Sequence, residues 1–223
     1  MIVAIDGPAG TGKGTVSKLI ASRLGYTYID TGAMYRAITL KMLRNDIKLE
    51  DTKKIIDMFA NTKIDFESAK NENGDFIQKV YLDGEDVSEE IRTPRINETV
   101  SPYSALPLIR EKLVALQRKM AVGQNIIMEG RDITTVVFPN AELKIYLDAT
   151  PEERANRRYK ELISKGIETT YEETLESINK RDYNDMHKEI GALKIAEDAI
   201  VVDTTNLSIE EVYNTLKKLI DER

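Results

Sequence analysis

Glycines and a lysine near the N-terminus form the first group of residues that could do chemistry. The chain reads Gly7-x-x-x-x-Gly12-Lys13 between a short apolar run and a helical pattern, which is the context that a phosphate-binding P-loop requires. In a P-loop, backbone N–H groups surround a β-phosphate, the helix N-terminus adds partial positive charge, and the lysine reaches the β- and γ-phosphate oxygens. The sequence therefore predicts a nucleotide site, formed by Gly7, Pro8, Ala9, Gly10, Thr11, Gly12, Lys13, Gly14 and Thr15.

One position of this loop departs from the usual pattern. Gly14 follows Lys13 where most P-loops have a hydroxyl, and Thr15 comes next. We expect Mg²⁺ to accompany the nucleotide. Thr15 is the candidate metal ligand, either directly or through a water molecule.

Arginines in the rest of the chain indicate what receives the phosphate. An enzyme that phosphorylates a hydroxyl usually needs a carboxylate as base, whereas a phosphate acceptor is already an anion and needs arginines to hold it beside the donor. Two arginines follow predicted strands, where the ligands of a parallel sheet collect, and two further groups share helix faces. The groups are Arg36 after Thr31, a predicted helix cap; Arg131 before Asp132; Arg154 with Arg157 and Arg158; and Arg181 with Asp185 and Lys188.

Each arginine group also has a purely structural interpretation. Arg157 and Arg158 could form ion pairs with Glu153 and Glu161 along a solvated helix face, and Arg131 could pair with the aspartate that follows it. The position of Arg131 after a predicted strand, at the edge where the P-loop also lies, favours a binding site.

A GTPase switch is another class that a P-loop suggests. Asn179-Lys180-Arg181-Asp182 matches the NKxD pattern of GTPases, but it lies inside a helix that Thr170 is expected to cap, whereas GTPases place this pattern after a strand. No glycine of the sequence has an aspartate three residues before it, so the DxxG element is also missing. We therefore exclude a GTPase.

The elements that must position these residues are strands alternating with helices, which predicts an α/β fold with a parallel sheet. Four of the five predicted strands end in aspartate and the fifth is followed by Glu129. Pairs that form capping boxes open three helices, and a further helix is expected from about Pro107 to Val122. The predicted strands are Ile2–Asp6, Tyr26–Asp30, Asn125–Met128, Leu143–Asp148 and Ala199–Asp203, and the capping pairs are Thr150/Glu153, Thr170/Glu173 and Ser208/Glu211.

One region interrupts the alternation. Lys63–Phe66 and Phe76–Leu82 have the composition of strands and flank Asn73-Gly74, which is a hairpin signal. A second turn is expected at Asp83-Gly84. Antiparallel strands do not belong in a parallel sheet, so we predict an inserted subdomain at 61–92.

Composition excludes several other functions. The 223 residues include no cysteine and one histidine, His187, so thiolate chemistry and multi-histidine metal sites are excluded. A net charge of −6 does not provide the basic surface that a nucleic-acid polymer requires. No signal peptide or membrane segment is recognisable. We expect a cytoplasmic protein, and a monomer, because no feature requires a partner chain.

Six segments, in this order and spacing, resemble the bacterial cytidylate kinases: GPAGTGKGT, DTGAMYR, SEEIRTPRI, EGRDITTVVFP, LDATPEERANRR and RDYND. The resemblance extends from Ile2 to the C-terminal helix. It implies a P-loop NTPase fold with a five-stranded parallel sheet flanked by helices, a core at 1–60, 93–152 and 189–223, a nucleoside-monophosphate-binding insert at 61–92, and a helical lid at 153–188. The implied reaction of pyrimidine metabolism is ATP with CMP or dCMP, giving ADP with CDP or dCDP, in the presence of Mg²⁺.

The resemblance also implies a role for individual residues. Lys13, Arg131, Arg157 and Arg181 would be catalytic; Thr31, Arg36 and Arg131 would hold the CMP phosphate; Ser101, Arg110 and Asp132 would read the cytosine; and Arg181 and Asp185, with Lys188, would bind the sugar. The chemistry agrees at Asp132, because a carboxylate accepts from the amino group of cytosine and is repelled by the oxygen of uracil.

Two departures and two alternatives accompany this interpretation. Lys188 stands where the family usually has arginine, and Thr134 stands where it usually has glycine, so the turn after Asp132 is expected to differ. The alternatives are a kinase for UMP, AMP or dTMP and a non-catalytic P-loop regulator that binds ATP.

Overall fold

The computed structural model describes residues 1–72 and 76–223. They form two compact units, one comprising Met1–Tyr28 with Gln124–Arg223 and the other Ile29–Gly123. The strands of the described chain are β1 (Ile2–Asp6), β2 (Thr27–Asp30), β3 (Ile64–Lys70), β4 (Phe76–Leu82), β5 (Glu85–Asp86), β6 (Ile126–Glu129), β7 (Leu143–Asp148) and β8 (Ile200–Asp203). The helices are α1 (Lys13–Leu24), α2 (Thr31–Arg44), α3 (Thr52–Ala60), α4 (Pro94–Ala105), α5 (Pro107–Met120), α6 (Pro151–Ser164), α7 (Tyr171–Met186) and α8 (Ile209–Asp221), with a 3₁₀ turn at Glu90–Arg92 and a π-helical turn at Ile133–Val137.

The larger sheet is parallel, with five strands in the order β2-β6-β1-β7-β8. Its central strand is fully apolar through Val3, Ala4 and Ile5, all of which are inaccessible to solvent, as expected of a parallel strand covered on both faces. Ile5 lies opposite Glu129 on one side and Ile145 on the other, so the acidic strand ends collect at one edge. The predicted fold class and all five predicted strands are confirmed, with boundaries that shift by at most one residue.

The smaller sheet is antiparallel, in the order β3-β4-β5. Strand β3 is longer than the predicted Lys63–Phe66, and β4 matches the prediction. Asp83 and Gly84 have positive φ values of 53° and 89° and form the predicted turn into β5. The hairpin signal Asn73-Gly74 lies outside the described residues.

Local capping explains where several helices begin. Complete capping boxes are present at Thr170 and Ser208. The third predicted box is wrong, because the Thr150 hydroxyl accepts from the N–H of Glu153 but the Glu153 carboxylate binds Arg157 instead. An ion pair with the residue one turn later has replaced the return bond of the box.

Three further predictions about helix ends are corrected. Thr31 does not cap α2, because the Asp30 carboxylate accepts the Ala33 N–H at 2.9 Å and leaves Thr31 as the first helical residue. Lys188 lies two residues beyond the end of α7, after the helix-ending His187, rather than on its face. Helix α5 ends at Met120, before the predicted Val122.

Candidate active site

The P-loop backbone follows a path that only glycine accommodates at its critical positions. Gly7, Gly10 and Gly12 have φ values of 146°, 85° and 87°, which residues with a Cβ rarely adopt. A Cβ on Gly7 would lie 2.0 Å from the carbonyl oxygen of Leu147, and one on Gly10 would lie 3.0 Å from the Cβ of Arg154. The loop therefore packs closely against β7 and α6.

Lys13 closes this loop on itself. The side chain is 5% exposed, and its Nζ donates to the carbonyl oxygens of Gly7 at 2.8 Å and Pro8 at 2.6 Å. Burial, reinforced by the positive charges of Arg131 and Arg181, lowers the pKa of Lys13 to about 7. Positive charges nearby disfavour the ammonium form of Lys13 in the ligand-free protein.

The absence of a hydroxyl after Lys13 has a steric explanation. A Cβ on Gly14 would lie 2.8 Å from Oε1 of Glu129 and 3.5 Å from the hydroxyl of Tyr28. That hydroxyl donates to the same Oε1 at 2.6 Å. A carboxylate and a phenol thus occupy the space that a side chain at position 14 would need.

The residues around the loop also bear on magnesium. Thr15 is exposed at the start of α1, one residue after the position where P-loops usually hold the metal ligand. Among the residues that the structure describes, no three acidic or histidine side chains are grouped to hold a metal ion on their own. The donor set fits a magnesium ion that arrives with the nucleotide phosphates rather than a metal bound by protein alone.

Asp185 links two of the predicted substrate residues. Arg131 donates its Nε to Oδ2 of Asp185 at 2.9 Å, and Lys188 donates its Nζ to Oδ1 at 2.9 Å. Burial alone would raise the pKa of Asp185, but the charges of Arg131 and Lys188 lower it to about 2. Arg131 thus meets a carboxylate from α7, and Lys188 reaches the same carboxylate from beyond the end of that helix.

Arg154 differs from the other two arginines that share its helix in being buried. It is 3% exposed and forms an ion pair of 2.6 Å with Asp182. It also donates to the carbonyl oxygens of Ala149 and Ala9. Helical side chains point toward the helix N-terminus, so the side chain of a residue in the first turn of α6 lies over the P-loop. The position of Arg154 in that first turn is the feature of the sequence that could have predicted its burial.

The other two arginines of α6 form the ion pairs that the structural interpretation expected. Arg158 pairs with Glu161 among exposed side chains. Arg157 pairs with Glu153 at 2.9 Å and also donates to the hydroxyl and carbonyl of Thr204. The guanidinium of Arg157 therefore joins α6 to the segment that follows β8.

The second unit holds four of the predicted residues, whereas Asp132 and Arg181 belong to the first unit. Buried Thr31 starts α2, and Arg36 pairs with Asp30 at 3.0 Å. Arg110 on α5 is buried, with its guanidinium 5.7 Å from the ring centre of Tyr35. Ser101 lies on α4 and is partly buried. Arg110 donates to the carbonyl oxygen of the neighbouring Ser104 at 3.3 Å.

Comparison with known proteins decides the family. The family model described as Cytidylate kinase matches residues 3–222. The chain belongs to the cytidylate kinase family. It is 52% identical to a cytidylate kinase of Caldicellulosiruptor bescii, over 97% of this chain and 94% of that one. It is 50% identical to a cytidylate kinase of Fusobacterium nucleatum, over 100% and 98% of the two chains. The predicted family and its enzyme class, a nucleoside monophosphate kinase, are confirmed.

A solved structure shares the fold at much lower sequence similarity. An uncharacterized protein from Eubacterium ventriosum aligns with a TM-score of 0.53 and 11% identity, over 100% of this chain and 99% of its own. This likeness supports the fold alone. In residues 1–72 and 76–223, no helix is both long and apolar enough to cross a membrane.

Proposed function

We propose that this member of the cytidylate kinase family transfers the γ-phosphate of ATP to CMP or dCMP, giving ADP and CDP or dCDP. The observation that carries the proposal is a P-loop closed by the buried Lys13 in a chain that belongs to this family. Phosphoryl transfer between two phosphates places several negative charges together, and preorganised cations are the groups that stabilise them.

The donor side of the reaction uses the P-loop. We assign the backbone of Gly7–Gly12 and the ammonium of Lys13 to the ATP phosphates, with Thr15 toward the metal. Magnesium, when bound with ATP, would neutralise charge on the β- and γ-phosphate oxygens. The loop is held from behind by β7 and Arg154, so its N–H groups are positioned before nucleotide binds.

The acceptor side needs no general base, because the attacking oxygen of CMP is already anionic. We assign Arg131, Thr31 and Arg36 to the CMP phosphate. Arg181 and Asp185 are assigned to the sugar. Lys188 is assigned to the sugar beside Asp185, and Ser101 and Arg110 are assigned to the cytosine. Arg157 is assigned as a catalytic residue of the proposed lid at 153–188. Binding of the nucleoside monophosphate is assigned to the proposed insert at 61–92.

Base choice is assigned chiefly to Asp132, which is 5% exposed. A carboxylate accepts hydrogen bonds only, so it suits the amino group of cytosine and faces the oxygen of uracil unfavourably. A buried acceptor left opposite another acceptor costs ~1–3 kcal/mol, which corresponds to a preference for CMP over UMP of roughly fivefold to 140-fold.

The test is a coupled assay of ADP formation with CMP, dCMP, UMP, AMP and dTMP as acceptors. The expected result is ADP formation that depends on CMP or dCMP. Faster turnover of another monophosphate would favour the alternative kinase, and ATP binding without CMP-dependent turnover would favour the regulator. In Asp132→Asn, an amide can turn a donor toward uracil, so the CMP/UMP ratio of kcat/KM should narrow; an unchanged ratio would transfer base reading to Ser101 and Arg110.

We also propose a cytoplasmic monomer acting in pyrimidine nucleotide metabolism. The proposed product is a nucleoside diphosphate, which is the substrate of a second phosphorylation that gives the triphosphate. Sedimentation of the purified protein across a range of concentrations tests the monomer, because a dimer would raise the apparent mass with concentration.

A further inference from the structure

Asp6 is a buried carboxylate to which the sequence assigned no role. It ends β1, is inaccessible to solvent, and accepts three hydrogen bonds from one short segment. Oδ1 accepts the N–H of Ile133 at 2.9 Å, while Oδ2 accepts the N–H of Thr134 at 2.7 Å and its hydroxyl at 2.6 Å. Burial of a carboxylate is costly unless its oxygens accept hydrogen bonds, and these three donors offset that cost for Asp6.

The segment that Asp6 holds is the π-helical turn directly after Asp132. The carbonyl oxygen of Asp132 accepts from the N–H groups of Val136 at 2.9 Å and Val137 at 3.2 Å. Asp132 itself has φ −143° and ψ 27°, outside the helical region. Turns of this kind are rare and frequently occur at functional sites. The backbone of Asp132 is therefore fixed on its C-terminal side by a turn that is tied to β1.

The same carboxylate lies among the charges of the candidate active site. It interacts electrostatically with both Lys13 and Arg131, as does Glu129, and Asp185 also acts on Arg131. Burial raises the pKa of Asp6, while the bonds from Thr134 and Ile133 and the charge of Lys13 oppose this effect.

We propose that Asp6 is a positioning residue for base recognition, which holds the turn at Ile133 and Thr134 so that the side chain of Asp132 meets the base in one orientation. The inference rests on the proposed function, because it takes Asp132 as the residue that reads the base. The Thr134 hydroxyl donates the third hydrogen bond to Asp6 and therefore helps to hold the same turn.

The experiment compares Thr134→Val, Thr134→Ser and Asp6→Asn with the wild type, measuring kcat/KM for CMP and UMP and the KM for ATP. Valine has the shape of threonine without its hydroxyl, so the CMP/UMP ratio should narrow about fivefold. Serine keeps the hydroxyl and should retain the ratio. In Asp6→Asn, an amide group meets an N–H donor, and the CMP/UMP ratio should narrow about tenfold or more. The KM for ATP should change little in the two Thr134 variants, which keep the charge of Asp6.

Thr39→Val is the matched control. The Thr39 hydroxyl is equally buried and donates to the carbonyl oxygen of Tyr35 at 2.9 Å. Its loss should lower the melting temperature and leave the CMP/UMP ratio unchanged, because no role in binding is assigned to it. The comparison separates the loss of a buried hydrogen bond from the loss of orientation at the site.

The outcomes separate this inference from the proposed function. If Thr134→Val and Asp6→Asn lower stability but keep the wild-type CMP/UMP ratio, Asp6 is only structural and the inference is overturned. The threonine variants decide the question if Asp6→Asn does not fold. A wild type without CMP-dependent turnover would overturn the proposed function itself. A ratio that is unchanged in Asp132→Asn would overturn the inference while leaving the kinase assignment in place.

Discussion

Nucleotide binding to the P-loop should be accompanied by uptake of a proton. Burial, reinforced by the charge of Arg131, lowers the pKa of Lys13 from 10.5 to about 7 in the ligand-free protein. Near pH 8, only about one tenth of the ligand-free molecules would then carry the ammonium. The phosphates of ATP favour the charged form of the lysine and raise its pKa in the complex.

The magnitude follows from proton linkage. If the pKa of Lys13 in the complex lies well above 8, binding near pH 8 takes up about 0.9 proton. Between pH 8 and the pKa of the complex, the affinity for ATP then falls about tenfold for each pH unit. The same shift acts on folding with a defined sign. Between pH 7 and 10.5 the unfolded chain binds more protons at this lysine, so this lysine makes the ligand-free protein more stable as pH rises through that window.

The assay is calorimetric titration of ATP with magnesium into the protein in two buffers of different ionisation enthalpy near pH 8. The difference in observed heat gives the number of protons taken up. Two variants are matched controls: Lys13→Arg keeps a permanent cation, and Lys13→Met removes it. Neither should take up the proton. Lys13→Met should also lower kcat by on the order of a hundredfold, because a preorganised charge donor is lost.

Three results would contradict the roles given to Lys13. Absence of proton uptake in the wild type would mean that Lys13 remains charged despite its burial. Uptake that persists in Lys13→Arg would assign the proton to another group. A Lys13→Met variant that folds normally and keeps near-native kcat would remove the lysine from the proposed mechanism.

Three further predictions concern the helical segments. Arg157→Ala should lower kcat more than it weakens nucleotide binding, because closure of the proposed lid excludes water. Steady-state kinetics and calorimetric measurement of nucleotide binding test this prediction. A variant in which only the thermal stability changes would show that the role of Arg157 is structural. Arg154→Met should lower the free energy of unfolding by ~3–5 kcal/mol in denaturant unfolding, because the Asp182 carboxylate stays buried without its partner. A decrease below about 1 kcal/mol would show that this ion pair contributes no more than one at the surface. Ser208→Ala should cost ~1 kcal/mol through loss of an N-cap, and an unchanged melting temperature would show that α8 does not depend on its cap.

The sequence by itself determined the features that depend on neighbouring residues. The P-loop, the five strands with their acidic ends, and the capping boxes at Thr170 and Ser208 all follow from local spacing. Parallel strands bring their carboxyl ends to one edge of the sheet. The sequence alone therefore predicts that Arg131 and Lys13 lie at the same edge. The motifs quoted above also identified the family, because their order and spacing extend along the whole chain.

The tertiary structure decided which distant groups meet. Arg154 is buried against the P-loop and Asp182, Arg131 pairs with Asp185 across 54 residues of sequence, and Asp6 holds Ile133 across 127. Spacing along one helix predicts its faces, but it does not predict which neighbouring element covers a face or which carboxylate a guanidinium reaches. Both depend on how closely the packed segments approach one another. A buried charge is stable only when another segment supplies a partner of opposite charge, and the tertiary structure determines which segment that is.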